Sequence, residues 1–446
     1  MENITYGVIR IVIFLFLCII TVPCIAIEPT WTYTDSQVQI ADLIVSPDGS
    51  AVVAGAGKVV LLSQNGTVLA KEPYGEILAQ SRDGSTIVSG YSSVVSSTIY
   101  LFKVTKDAAG NPSLQKQWDA ILPNRVDSFA VSDKGDRIAF SAGGMGVYVY
   151  DGKTGKSLGH SDEYSSIIAI SGGRGNTIAG VSTVQGLKIY NPSGTLKKKY
   201  DSILAGEPRS LLLDTNGTFI VFNAGPYIIA FNTSKGAEEW KMRSVSDVTM
   251  LAMTPSGGHI VAVTTNGTID LYDMKGNLNW TYFSNSGTGA GQAINAIAVT
   301  PNGSKIFAGS ADGKLLFLDS AGALLWSYKT GKAPIQKVAI ASDGSFAAAA
   351  SDTFIYAFFT GEMVSDAMYT VNGIPVQTIT PGASLTKVSD TPSTWSNAQS
   401  TQHPVISEIP TVTLTEYSVI RKTTQSPLDG IAIIVGLLGL LLVLRL

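Results

Sequence analysis

Residues 29–36 read "PTWTYTDS", and the same phrase returns as "GNLNWTYFS" at 276–284 and "GALLWSYKT" at 322–330. A Trp-centred, β-rich segment that recurs inside a chain is one element of a repeating unit. A copy at the start of the chain has been separated from the rest of its unit. The remainder of that unit is therefore to be sought at the other end of the repeats.

The repeats follow a second, more frequent phrase: an apolar run, Ser/Thr-x-x-Gly, and another apolar run. It appears as "LIVSPDGSAVVAG" (43–55), "LAQSRDGSTIVSG" (78–90), "FAVSDKGDRIAFS" (129–141) and "IAISGGRGNTIAG" (168–180). It continues as "LLLDTNGTFIVFN" (211–223), "LAMTPSGGHIVAV" (251–263), "IAVTPNGSKIFAG" (297–309) and "VAIASDGSFAAAA" (338–350). Eight copies spaced by about 35 to 51 residues require a repeat architecture. Pro-Asp-Gly and Asn-Gly between short β-rich runs are hairpin turns. A third run follows each copy, then a Gly-containing turn, then a fourth run centred in several units on Trp118, Trp240, Trp280 or Trp326. Four antiparallel strands per unit at this period define a β-propeller blade. The expected fold is all-β, with about eight four-stranded blades over residues 28–361 and seven as the alternative count. The eighth copy stops after its third strand at Phe359, and "TWTYT" (30–34) has the sequence of the missing strand. It should pair with 354–359 and close the ring, which removes the free sheet edges of an open arc.

These repeats resemble the propellers of the quinoprotein-like and tryptophan–aspartate-repeat superfamilies, and the resemblance covers about 330 residues. It implies a propeller whose recurrent tryptophans pack between blades. The quinoprotein dehydrogenases carry a vicinal disulfide and carboxylates around calcium. In this chain both cysteines, Cys18 and Cys24, precede the repeats. Neither a cofactor nor a metal is expected, and no catalytic residue is nominated. The three histidines, His160, His259 and His403, have no metal-binding spacing. His259, just after a turn, should be exposed.

The two ends read as targeting segments. Arg10, the apolar run "IVIFLFLCIITV" (11–22) and "CIA" (24–26) form a signal peptide over 1–26. Residues 362–428, rich in Ser, Thr and Pro, read as a stalk. Residues 430–446 are apolar up to Arg445 and would span roughly 25 Å as a helix, enough for a short transmembrane tail. The layout around Ser426, Pro427 and Leu428 also resembles archaeal sortase-type processing signals. The expectation is a membrane-anchored, archaeal-type cell-surface protein with the propeller outside and a single C-terminal anchor. Charged residues make up 15% and net charge is −3, so no nucleic-acid partner is expected.

Six Asn-x-Ser/Thr sequons in the expected propeller, at Asn65, Asn216, Asn232, Asn266, Asn279 and Asn302, are glycosylation candidates in an exported chain. Five residues before each Ser/Thr-x-x-Gly turn stand Ala41, Glu76, Asp127, Ser166, Arg209, Thr249, Asn295 and Gln336. Seven of these eight are polar, and two residues later all eight blades are apolar. The innermost strands should therefore pass from a polar mouth to a packed wall. Glu76, Asp127, Arg209, Asn295 and Gln336 are the candidate ligand-binding residues, on the face that holds the longer loops. The function expected is binding, recognition or envelope structure at the cell surface, with a surface protein or glycan as partner. The alternative is a quinone-dependent or polysaccharide-acting extracellular enzyme.

Overall fold

In the computed structural model the described residues run from 25 to 360, apart from 36–37, 74, 94–95, 123, 174–176, 202–205, 285–292 and 332. Beyond these, 370–371 and 374–375 form a two-residue hairpin in a separate unit. Most of the stalk, the tail and most of the signal peptide expected above lie outside the described residues. Among the described residues no helix is long and apolar enough to cross a membrane.

Eight four-stranded antiparallel sheets make eight blades. Blades 1 to 7 span residues 42–73, 77–122, 126–161, 167–200, 211–243, 248–283 and 294–329. In each, the four strands follow one another in sequence. Blade 8 takes three strands from 337–359 and its fourth, Trp31–Thr34, from the start of the chain. Trp31 pairs with Ala357 and Thr34 with Phe354, antiparallel and without a break in register, as the displaced phrase requires. The first strands of neighbouring blades touch around the ring, so they line its axis. Ile25–Ala26 adds a parallel fifth strand outside blade 7.

The consecutive apolar runs are explained by the blades' neighbours. The second strands of blades 1, 5 and 8 are buried at every position, because each sheet is covered on both faces by adjacent sheets. The outermost strands are largely exposed on one face. The Ser/Thr at the head of each first turn also has a defined task. The hydroxyls of Ser46, Ser81, Ser132, Ser171, Thr254 and Thr300, and the carboxylate of Asp214, accept the N–H that opens the second strand, at 2.8–3.0 Å. Blade 8 has Ala341 there and keeps only the backbone bond from Ala341 N–H to the Phe346 carbonyl.

Tryptophans fasten four of the blades to the next. Trp118 Nε1 donates to the Gly152 carbonyl of blade 3 at 3.0 Å, Trp240 to Met274 of blade 6 at 2.8 Å, and Trp280 to Ser320 of blade 7 at 2.9 Å. Trp31, completing blade 8, donates to Gln64 of blade 1 at 2.7 Å. Each indole lies on the glycine of the turn it reaches. A Cβ on Gly322 would stand 2.7 Å from Trp280, and one on Gly66 would stand 2.7 Å from Trp31. Trp326 differs. Blade 8 has no covalent turn between its third and fourth strands, so Trp326 has no such carbonyl to reach. Its indole stacks on Phe317 with centroids 4.9 Å apart and packs on Phe358, and Nε1 is left without a hydrogen-bond partner.

Two predictions follow from this fastening. Gly322 and Gly110 share a left-handed φ, +81° and +84°, but nothing lies within 4 Å of a Cβ at Gly110, and blade 1 has no Trp to dock there. Gly322→Ala should therefore cost about 1–3 kcal/mol more than Gly110→Ala in denaturant unfolding; equal losses would dismiss the docking contact. For closure, a propeller fragment covering 36–361 should unfold well below one covering 28–361, and an unchanged midpoint would contradict the closing strand.

Candidate functional site

In every blade the first-to-second and third-to-fourth turns fall on one face, and the second-to-third and interblade loops on the other. The first face carries the tight turns. Asn65, Asn216 and Asn302 are exposed there, whereas Asn232 is half-buried and committed. Its Oδ1 accepts the N–H groups of Ser234 and Lys235, and its Nδ2 donates to Glu239. Asn266 is exposed on the opposite face, and Asn279 on an outermost strand. His259 is half-buried, not exposed, because its ring lies beneath Gly303 of the next blade's turn.

The polar ring lies at the opposite, long-loop mouth. Asp127, Arg209 and Asn295 are exposed, and Glu76 and Gln336 are half-buried. For Asp127 and Asn295 the exposure has a backbone cause. In blades 3, 6 and 7 the ladder between first and second strands skips Asp127, Thr249 and Asn295, with register shifts at Val126/Ser128, Val248/Met250 and Ile294/Ala296. Such bulges re-aim a side chain and release it from the sheet. Glu76 and Gln336 instead keep ladder-type bonds from N–H to the carbonyls of Gly90 and Ala350. The Tyr164 hydroxyl donates to Asp127 at 3.2 Å. Burial, then the Asp127 charge, raises the Tyr164 phenol above its ordinary value. The side-chain oxygen of Gln336 is buried with no partner, as are the hydroxyls of Ser244 and Ser246 in the loop from blade 5 to blade 6.

One position further along, blades 1, 3 and 5 are stapled to the next. Asp42, Ser128 and Ser210 accept the backbone N–H of Leu78, Ile168 and Leu251 at 2.9, 3.2 and 3.0 Å. Asp42 also meets Lys337 of blade 8 at 3.2 Å, across the interface that closes the ring. The next residues are half-buried or buried as expected, but the wall is not fully packed: an open well of about 430 Å³ remains on the axis.

Sequence reasoning missed two features of the long-loop face. The four most exposed large apolar side chains, Val184 (93%), Val245 (91%), Ile121 (73%) and Phe283 (67%), all stand on it, in loops or at strand ends. On the tight-turn face the most exposed comparable residues are Leu278 (54%) and Met274 (44%). The second feature is Lys188, whose side chain is fully buried between blades 3 and 4. It donates to the Tyr164 carbonyl and to Gln185 Oε1 at 2.6 Å, with Glu163 at 3.9 Å. Burial pushes its ammonium down to about 8, against the pull of Glu163. Asp270 holds the same strand position in blade 6, buried beside Tyr272, with its carboxyl raised by burial. Among the described residues, no group of three or more His, Cys, Asp or Glu side chains could hold a metal ion.

The family model described as outer membrane protein assembly factor BamB, a PQQ-repeat family, matches residues 147–373, just over half of the chain. The chain belongs to that family of propellers. Among curated proteins none matches it in sequence. Many solved structures share the fold, and three illustrate it. Sqt1 from Chaetomium thermophilum is 15% identical with a TM-score of 0.63, covering 75% of this chain and 99% of its own. The computationally designed Ika8 protein is 16% identical, at 0.59, covering 74% and 99%. The C-terminal WD40 domain of Sif2 is 13% identical, at 0.58, covering 74% and 98%.

The Lys188 geometry predicts a pH signature. A lysine that deprotonates near 8 when folded and near 10.5 when unfolded binds fewer protons in the folded state between those values. Folding stability therefore rises as pH climbs through that window. In denaturant titrations, wild type should gain stability between about pH 8 and 10.5 relative to Lys188→Met. Parallel pH profiles for the two proteins would refute the burial assignment.

Proposed function

We propose that this chain is a non-catalytic, membrane-tethered binding propeller at the cell surface, and that it docks a protein partner on its long-loop face. The observation that carries this reading is the asymmetry of the two faces. The long-loop face gathers Val184, Val245, Ile121 and Phe283 around a mouth of released polar side chains. Apolar tips around a rim of exposed polar side chains suit a protein surface that supplies both packing and hydrogen bonds. The tight-turn face is engaged in its own turn bonds and carries three of the exposed sequons.

The family's description as an assembly factor supports the same class of role, in which a rigid disc holds partners together. A Chaetomium thermophilum Sqt1 propeller, 16% identical, was solved bound to the N-terminus of ribosomal protein L10; it shares the fold with this chain. The signal-like start and the apolar tail support an exported disc anchored at its C-terminus.

Two experiments test this. Protease added to intact cells should release the propeller, and protection while a known surface marker is cut would contradict the location. With a captured partner, Arg209→Ala, Asp127→Ala and Val184→Asp should each weaken binding by about tenfold, whereas Asp48→Ala in a tight turn should not. Loss confined to Asp48→Ala, with folding intact, would place the interface on the opposite face.

A further inference from the structure

In blades 1 to 7 a turn joins the third strand to the fourth. Blade 8 has none, because its fourth strand arrives from the start of the chain. Residues 25–27 lie beside that gap, between blades 7 and 8. The backbone of Ile25 and Ala26 pairs in parallel with Trp326 and Ser327 on the outer strand of blade 7. Ile27 is 4% exposed and shares one buried core with Trp326 and Phe317 of blade 7 and Phe358 of blade 8. Trp326, the indole with no turn to reach, is thus buried in a core that Ile27 helps to fill. The chain then runs directly into the closing strand. The Thr30 N–H donates to the Ala357 carbonyl at 2.7 Å, and the Thr30 hydroxyl accepts the Phe359 N–H at 3.1 Å. From Ile25 to Thr34 the chain belongs to the closing joint.

The leader expected from the sequence, 1–26, overlaps this joint by two residues. A cut after Ala26 would remove both paired residues and make Ile27 the terminal residue. Its nitrogen would become an ammonium on a residue buried between two blades, and an unpaired buried charge is costly. Chain ends are ordered only where they are tied down, and this cut discards the strand that ties this one. A cut two residues earlier avoids both costs, because the ammonium then stands at the free end of the added strand. The sequence permits either bond. A leader is cut after small residues placed one and three positions before the bond. For Ala26–Ile27 these are Ala26 and Cys24; for Cys24–Ile25 they are Cys24 and Val22. Cys24 serves by its size, and its thiol leaves with the leader. The apolar run 11–22 falls within the roughly 7–15 residues of a leader core and is short of the about 20 that span a bilayer. Size and length leave two bonds open, and the fold separates them.

We propose that the leader is removed at the Cys24–Ile25 bond, so that the mature chain begins at Ile25 and keeps its first two residues as the fifth strand of blade 7. One water is consumed as the amide breaks. Its oxygen goes to the Cys24 carbonyl, which leaves as the leader's carboxylate, and its two protons end on the Ile25 nitrogen as the new ammonium. This rests on the exported reading above and is independent of which face a partner engages. It locks the N-terminus into the closing joint and leaves the C-terminal segment alone to tether the disc.

The test produces the full chain in an exporting host, tags its free α-amine and reads the terminal peptide by mass spectrometry. That peptide should begin Ile25, Ala26, Ile27, Glu28. Val22→Gln spoils the third position before this bond and leaves the later bond's pattern intact; it should abolish the Ile25 terminus. Ala26→Gln spoils only the later bond and should leave the Ile25 terminus unchanged. Neither readout requires the variant to fold. A terminus at any other residue of an exported chain, Ile27 included, would overturn the cut and leave export standing. So would a terminus lost with Ala26→Gln and kept with Val22→Gln, or an exported chain that retains its leader. A chain that retains its leader and is sheltered from protease added to intact cells would overturn export and the cut together.

Discussion

Everything in this molecule depends on the pairing of Trp31–Thr34 with the third strand of blade 8. It joins residues more than three hundred positions apart in sequence. Without it, blade 8 would have three strands and a free edge, and blade 1 would lose the indole that sits on its Gly66 turn. The same interface carries the Lys337–Asp42 ion pair and a shared apolar core from Ile40 to Ala357. A ring is held by its least local joint, because its other interfaces follow one another along the chain and have lower closure entropy. The polar mouth and the well exist only as properties of the closed ring, since each is assembled from first strands of several blades.

The fastening between blades is local chemistry repeated. A hydroxyl holds the first turn, an indole reaches the next blade's turn, and a glycine makes room for it. Where the repeat is broken the physics changes accordingly. Blade 8, with Ala341, loses the hydroxyl bond. Trp326, facing a blade whose fourth strand arrives from the other end of the chain, turns into the core between blades 7 and 8 and leaves its N–H unpaired.

Much of this was legible in the sequence. The count of blades, the strand order and the displaced closing strand all followed from the period and from one repeated phrase, because turn chemistry and two-sided burial leave strong local signals. The polar ring was legible as a column of residues, but the exposure of its members was not. Bulges at Asp127, Thr249 and Asn295 depend on how a strand fits its neighbour, and no residue type announces them. Lys188 and Asp270 had a faint signal: other blades place Val60, Ile229 or Leu316 at that strand position. The well was invisible because apolar residues on a first strand read equally as filled core. Whether they fill depends on the ring's diameter, set by eight blades instead of fewer.

The central claim is that one face of the disc is built for a partner and the other for its own turns. The most direct measurement places a photo-crosslinking amino acid at Val184 or Val245 on the long-loop face, and at Met274 or Lys275 on the tight-turn face, in cells producing the full chain. The account predicts a discrete protein adduct from the first pair and none from the second. Adducts from Met274 or Lys275 alone would contradict it.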